Sequence, residues 1–312
     1  MFNRRTVSSG LAALGLAPLT AHSAGREIVQ GATTWSESAM VLYFDAEVRN
    51  GFSVRISRYP DNDATWVWCH LLLEGQLYTF TDHRVPCGSA HTDPNAPVAT
   101  YPSPGLNVSI TRLGSSADMK GLSFKAQIKA HQNASGVDGP GDTPVALEGV
   151  FQPGPLRAGS PPGRFERTGV MKATLSVGRK AVSLTGLGKA HEQTQTAPRF
   201  TAPFTYAMLW GPSASLVGLM SPARKYGDLE LDGKDTDLAS FQVERWAPTR
   251  RFAAILQDGT RVDGKAETVQ RFEVPVFGQQ WYGRIVRAEV AGKPMVGMVN
   301  DWRPADQPYG LS

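Results

Sequence analysis

From Phe52 to Tyr59 apolar and polar side chains take turns: Phe52, Val54 and Ile56 alternate with Ser53, Arg55 and Ser57. This is the two-residue period of a strand with one wet face. A β-rich run over 40–48 precedes it, and Asn50-Gly51 between the two is the dipeptide of a tight hairpin. Pro60-Asp61-Asn62-Asp63 makes a turn, 65–73 reads as the next strand, and Glu74-Gly75 turns the chain into 76–81. The pattern predicts an antiparallel meander. Further strands are expected at 106–113, 122–130 and 146–151, then a hairpin of 170–177 and 181–187 around Gly178-Arg179. Beyond His191 the alternation resumes at 206–210, 214–220, 229–231, 240–246, 252–256, 266–272, 281–290 and 294–300. Stretches 133–143 and 152–163, rich in Gly, Asp and Pro, read as long loops. The expectation is an all-β chain of two antiparallel barrels or sandwiches, with a break near 199–202.

Period 2 also sorts side chains by face. Trp66, Trp68, His70 and Leu72 share one side of their strand, and Val67, Cys69, Leu71 and Leu73 share the other. Tyr43, Asp45 and Glu47 fall together on the first strand. A face carrying two tryptophans and a histidine suits the wall of an amphipathic cavity. The competing reading is core filler whose polar tips are satisfied.

Composition sharpens this. Hydrophobic residues make up 41% of the 312, charged ones 19%, and Gly 32 and Pro 22 fit many strands joined by turns. The charge of +4 is not concentrated: basic residues go no further than pairs such as Arg250-Arg251, and no nucleic-acid motif is present, so no nucleic-acid partner is expected. Residues 1–24 combine Arg4-Arg5, a short apolar stretch and small residues around Ala24, which predicts a twin-arginine-like export signal and a periplasmic or secreted protein. Domains are then expected at 25–200 and 201–312. No other apolar run approaches the length of a membrane span, so no stable span is expected. Cys69 and Cys87 lie outside any CxxC pair; one disulfide or two free thiols both remain open. The six histidines are scattered, GxSxG and HExxH are missing, and Gly186-x-Gly188 lacks the third glycine of a dinucleotide fingerprint. Asp82-His83, at a strand end, reads as loop chemistry.

Three segments in order resemble the carotenoid 1,2-hydratase superfamily, also called hydroxyneurosporene synthase-like or AttH-like. They are Leu42-Tyr43-Phe44-Asp45-Ala46-Glu47 with Asn50-Gly51-Phe52, the hairpin from Trp66 to Asp82, and Gly186-Leu187-Gly188-Lys189-Ala190-His191-Glu192-Gln193-Thr194 followed by Arg199. The resemblance implies two lipocalin-like barrels side by side with an apolar cavity in or between them. It implies cofactor-free hydration, or a related lyase or isomerase reaction, at a C=C bond of a hydrophobic, terpenoid-like small molecule.

Protonating an alkene needs a carboxylic acid kept neutral by an apolar setting, and the cation that forms needs π-rich or negative surroundings. By position in the resembling motif Glu192 is the expected acid, His191 its relay and Asp45 the second candidate. Arg199 is expected to hold a carboxylate, and Tyr43, Trp66, Trp68, His70, Tyr206 and Trp210 to line the cavity. No metal or cofactor is called for. A non-catalytic periplasmic carrier of lipid or terpenoid fits the same architecture, and the sequence leaves the oligomeric state open.

Overall fold

The computed structural model describes residues 35–157, 162–196, 199–200, 202–222, 225–244, 247–276 and 278–304; the expected signal at 1–24 lies outside them. The fold is almost wholly antiparallel β. Ten strands form the first sheet: β1 (Ser36–Phe44), β2 (Gly51–Tyr59), β3 (Ala64–Leu73), β4 (Gln76–Val85), β5 (Val98–Ser103), β6 (Asn107–Leu113), β7 (Gly121–Gln132), β8 (Thr143–Pro153), β9 (Arg164–Val177) and β10 (Lys180–Gln195). Eight form the second: β11 (Phe204–Gly211), β12 (Ala214–Met220), β13 (Lys225–Leu231), β14 (Lys234–Val243), β15 (Thr249–Leu256), β16 (Arg261–Val276), β17 (Gln279–Val290) and β18 (Lys293–Pro304).

The second sheet is a closed up-and-down barrel from β11 to β18. The first runs β4-β3-β2-β1-β10-β9-β8-β7-β6-β5, and β4 also pairs with β7 through Tyr78–Gln132 and Thr79–His131. That pairing rolls eight of its strands into a ring and leaves the β5–β6 hairpin beyond it. Closing the ring removes the edges an open sheet would expose. The chain is thus two lipocalin-like rolls. The strands around Gly178-Arg179 run well past the expected hairpin, because β10 pairs with β1 on its other side and both its edges are occupied.

Side chains sort into three apolar layers. One fills the first roll, with Val41, Val54, Val67, Leu71, Phe124 and Leu175 among its members. Another fills the closed barrel around Leu209, Leu216, Phe241 and Phe252. The third lies between the rolls and draws Met40, Leu42, Trp66, Trp68, Met208, Trp210, Phe272 and Trp281 from both. Burying aromatic area on this scale is the main force joining the halves. Polar contacts fix their orientation: Trp210 Nε1 donates to Leu187 O at 2.8 Å, and Arg157 from the first unit pairs with Asp228 and Glu230 of β13 and Asp235 of β14. Cys69 and Cys87 are both buried free thiols, so of the two open readings the structure takes the unpaired one.

Candidate functional site

Both rolls are packed inside, and the hollow lies at the seam. A cavity of about 260 Å³ opens between β1, β2, β3, β9 and β10 of the first unit and β11, β12, β16, β17 and β18 of the barrel. That is near the lower end of small-molecule sites, about 300 Å³. Trp68, Phe200, Phe204, Phe272 and Trp281 supply its aromatic walls, and Met40, Met208 and Met298 its aliphatic ones. Gly283 makes room for part of this lining: a Cβ there would strike the Phe272 ring, which instead stacks on His70 with centroids 3.5 Å apart.

The polar centre is built across the β9–β10 ladder, where His191 stands directly opposite Glu166. His191 Nδ1 lies 2.8 Å from Glu166 Oε1. The same oxygen accepts from Arg164 Nε at 3.0 Å and from the Tyr206 hydroxyl, which reaches over from β11 of the barrel. Burial disfavours the ionised form of Glu166, but His191 and Arg164 outweigh it and hold the carboxyl well below its usual range. Burial raises the Tyr206 phenol well above its ordinary value, so it stays a donor. Burial likewise lowers His191 to about 4, so the imidazole is neutral at physiological pH. With Nδ1–H donated to Glu166, the Nε2 edge is the one left for the cavity the ring lines.

The walls carry more positive than negative charge. Arg55, Arg164 and Arg199 all line the cavity. The Arg55 guanidinium lies over the Trp68 ring, 5.3 Å from its centroid, and that of Arg164 over Tyr206 at 4.7 Å. All three are half-buried and line the cavity.

Five of the ten residues expected at the site meet here: His191, Trp68, His70, Arg199 and Tyr206. The other five stand elsewhere. Glu192 follows His191 on the strand and so points to the opposite face, into the first roll, where Tyr101 Oη and Arg112 Nε each donate to its Oε1 at 2.9 Å. It does not reach the cavity. Asp45 is a turn residue that accepts from the backbone N–H groups of Arg49 and Asn50 and from the Asn50 side chain. Tyr43 lies in the first roll with its hydroxyl on Thr185 O at 3.2 Å. Trp66 backs the wall by stacking on Phe200, and Trp210 is interface core against Phe44. Glu166, Arg164 and Arg55 were not expected. Glu166 was within reach: counting equal steps outward from Val177 and Lys180, on either side of the Gly178-Arg179 turn, brings His191 onto Glu166.

No protein-family model and no curated protein sequence matches the chain. Solved structures do. An assigned AttH from Nitrosomonas europaea superposes with a TM-score of 0.55 at 12% identity, over 93% of this chain and 99% of that one. CghA, crystallised with Sch210972, gives 0.55 at 10% identity over 89% and 93%. Kievitone hydratase from Nectria haematococca gives 0.50 at 9% identity over 91% and 98%. This chain shares the fold of these structures, the AttH-like one. The likeness spans both rolls and the seam between them, where the AttH-like fold of this chain places its cavity.

Proposed function

We propose that the chain is a cofactor-independent enzyme that adds water to, or removes it from, a C=C bond of a small hydrophobic molecule, or shifts such a bond, with His191 as its general base and acid. The observation that carries this reading is the Glu166–His191 pair, with a neutral imidazole edge turned into an aromatic cavity. An oriented imidazole whose partner is an ionised carboxylate is suited to take and return one proton. A hydratase and a ligand-bound protein among the solved relatives of this fold agree with it.

The charge of the cavity selects the type of addition. Three guanidiniums destabilise a carbocation and stabilise developing negative charge. The reading is therefore conjugate addition, and its reverse, at a double bond activated by a carbonyl. His191 Nε2 takes a proton from water as the oxygen bonds to the β-carbon. The π electrons move to the carbonyl oxygen as an enolate, and the proton returns to the α-carbon. Glu166 holds the tautomer and offsets the imidazolium charge.

The test is incubation of the purified protein in ¹⁸O-labelled water with a panel of α,β-unsaturated aryl ketones, with products read by mass spectrometry. Label incorporation by the wild type, falling about 10²-fold or more in His191→Gln, is the expected result. Compounds that bind and return both unlabelled and unisomerised from the wild type would make the chain a carrier.

A further inference from the structure

Each of Arg58, Arg112, Arg157, Arg164 and Arg250 has a carboxylate within ion-pair distance. Arg55 and Arg199 have none among the described residues. Arg55 Nε donates to Ser57 Oγ at 3.0 Å. Arg199 reaches Ser38 Oγ at 3.4 and 3.5 Å, the long end of a hydrogen bond, and its Nε has no acceptor at all. Burial works against both guanidiniums, reinforced at Arg55 by the charges of Arg199 and Arg164 and at Arg199 by that of Arg164. Nearby, the Tyr59 hydroxyl is buried without a partner, and on the barrel wall so is Asn300 Nδ2. Enclosed charge without a counter-charge is costly, and two like charges side by side cost more. A fold that neutralises its other buried guanidiniums with carboxylates or carbonyl oxygens, and leaves these two on serines inside a cavity, has left room for an anion.

The geometry points to a ligand that is an amphiphilic anion: a planar, unsaturated body held among Trp68, Phe200 and Trp281, with a carboxylate or an equally acidic enol gripped between Arg55 and Arg199. This names the substrate class of the site and rests on the cavity being the reaction site proposed above. It differs from that proposal in placing the negative charge on the ligand before any reaction, at a point away from the dyad carboxylate. Asn300 Nδ2 then offers a donor to a carbonyl oxygen of the same ligand. A guanidinium binds a carboxylate with directed, charge-assisted hydrogen bonds, which serine hydroxyls cannot replace.

The experiment is calorimetric titration of the full chain with 2-naphthylacetate and with its primary amide, which share a ring system and differ in charge. The wild type is expected to bind the acid about tenfold or more tightly than the amide, the scale of one hydrogen bond to a charged group. Arg55→Met and Arg199→Met should each remove that preference and leave amide affinity within about threefold. Without ligand, Arg199→Met should raise Tm, because it deletes an uncompensated charge; an arginine that held the fold together would give the opposite sign. Equal affinity for acid and amide, no binding of the acid, or variants that weaken both probes alike would overturn the inference. His191→Gln separates the two readings. If it abolishes turnover while the wild type lacks an acid preference, the anion site alone fails. If the preference persists and turnover never depends on His191, the anion site stands and the dyad mechanism falls.

Discussion

His70 offers a quantitative check on the seam that needs no substrate. Its ring is 2% exposed, lies flat on Phe272, and leaves Nε2 without a partner. Burial alone lowers its pKa from 6.5 to about 3. The folded-state value is depressed, so the unfolded chain binds the proton first as pH falls. Stability from this group is complete above about pH 6.5 and drains away toward pH 3. At about pH 4 the wild type should have lost about 3 kcal/mol through His70 alone. His70→Phe keeps a ring on Phe272 and removes both the titration and the orphaned nitrogen. Near neutrality its stability should equal or slightly exceed that of the wild type, since replacing an unsatisfied polar atom by carbon gains about 1 kcal/mol. The assay is urea unfolding followed by tryptophan fluorescence at stepped pH. His191, lowered to about 4 by burial, contributes a similar acid loss to both proteins and cancels in the comparison. Two stability curves running parallel from about pH 7.5 to pH 4 would show that His70 is not held neutral in a closed seam, and would refute the description of the cavity wall.

Three further outcomes follow from the placement of charge. Glu166→Gln keeps an acceptor for His191 but removes the charge that offsets the imidazolium; label incorporation should fall about 10²-fold or more, with the fold retained by circular dichroism. Glu192→Gln should cost about 3 kcal/mol, because it strips Arg112 of its counter-ion inside the first roll, and should leave turnover of the folded protein unchanged in a steady-state assay. Asp45→Ala loses three accepted hydrogen bonds at a turn and should lower stability by about 1–2 kcal/mol in urea titration, with calorimetric binding of the naphthyl probes unaltered.

Much of the architecture was legible in the chain. The split of Trp66, Trp68 and His70 from Val67, Cys69 and Leu71 follows from the two-residue period alone, and the two groups do face different apolar layers. The AttH-like resemblance and the all-β fold hold as well. The site was only half legible, for a reason of the same kind. His191 and Glu192 are neighbours in sequence, so they must point to opposite faces, and only one can see the cavity. Glu192 is buried in an ion pair that no local pattern announces, because its partner sits on the β5–β6 hairpin far along the chain. Asp45 falls just past the end of β1, where alternation has stopped and side chains serve the turn. Arg55 looked like the wet side of an amphipathic strand. The second roll covers that side, and the sequence of one strand carries no trace of what will lie on it.

The oxygen that orients His191 is held at once by β9 and by a phenol from the barrel. Neither roll alone contains the working arrangement, although each has a filled interior of its own. Substitutions along the joint can therefore reshape the chamber while both hydrophobic interiors stay intact. The chamber shares Trp68, Phe272 and Trp281 with the layer that joins the rolls, so a change in its lining bears on the joint as well as on the space it encloses.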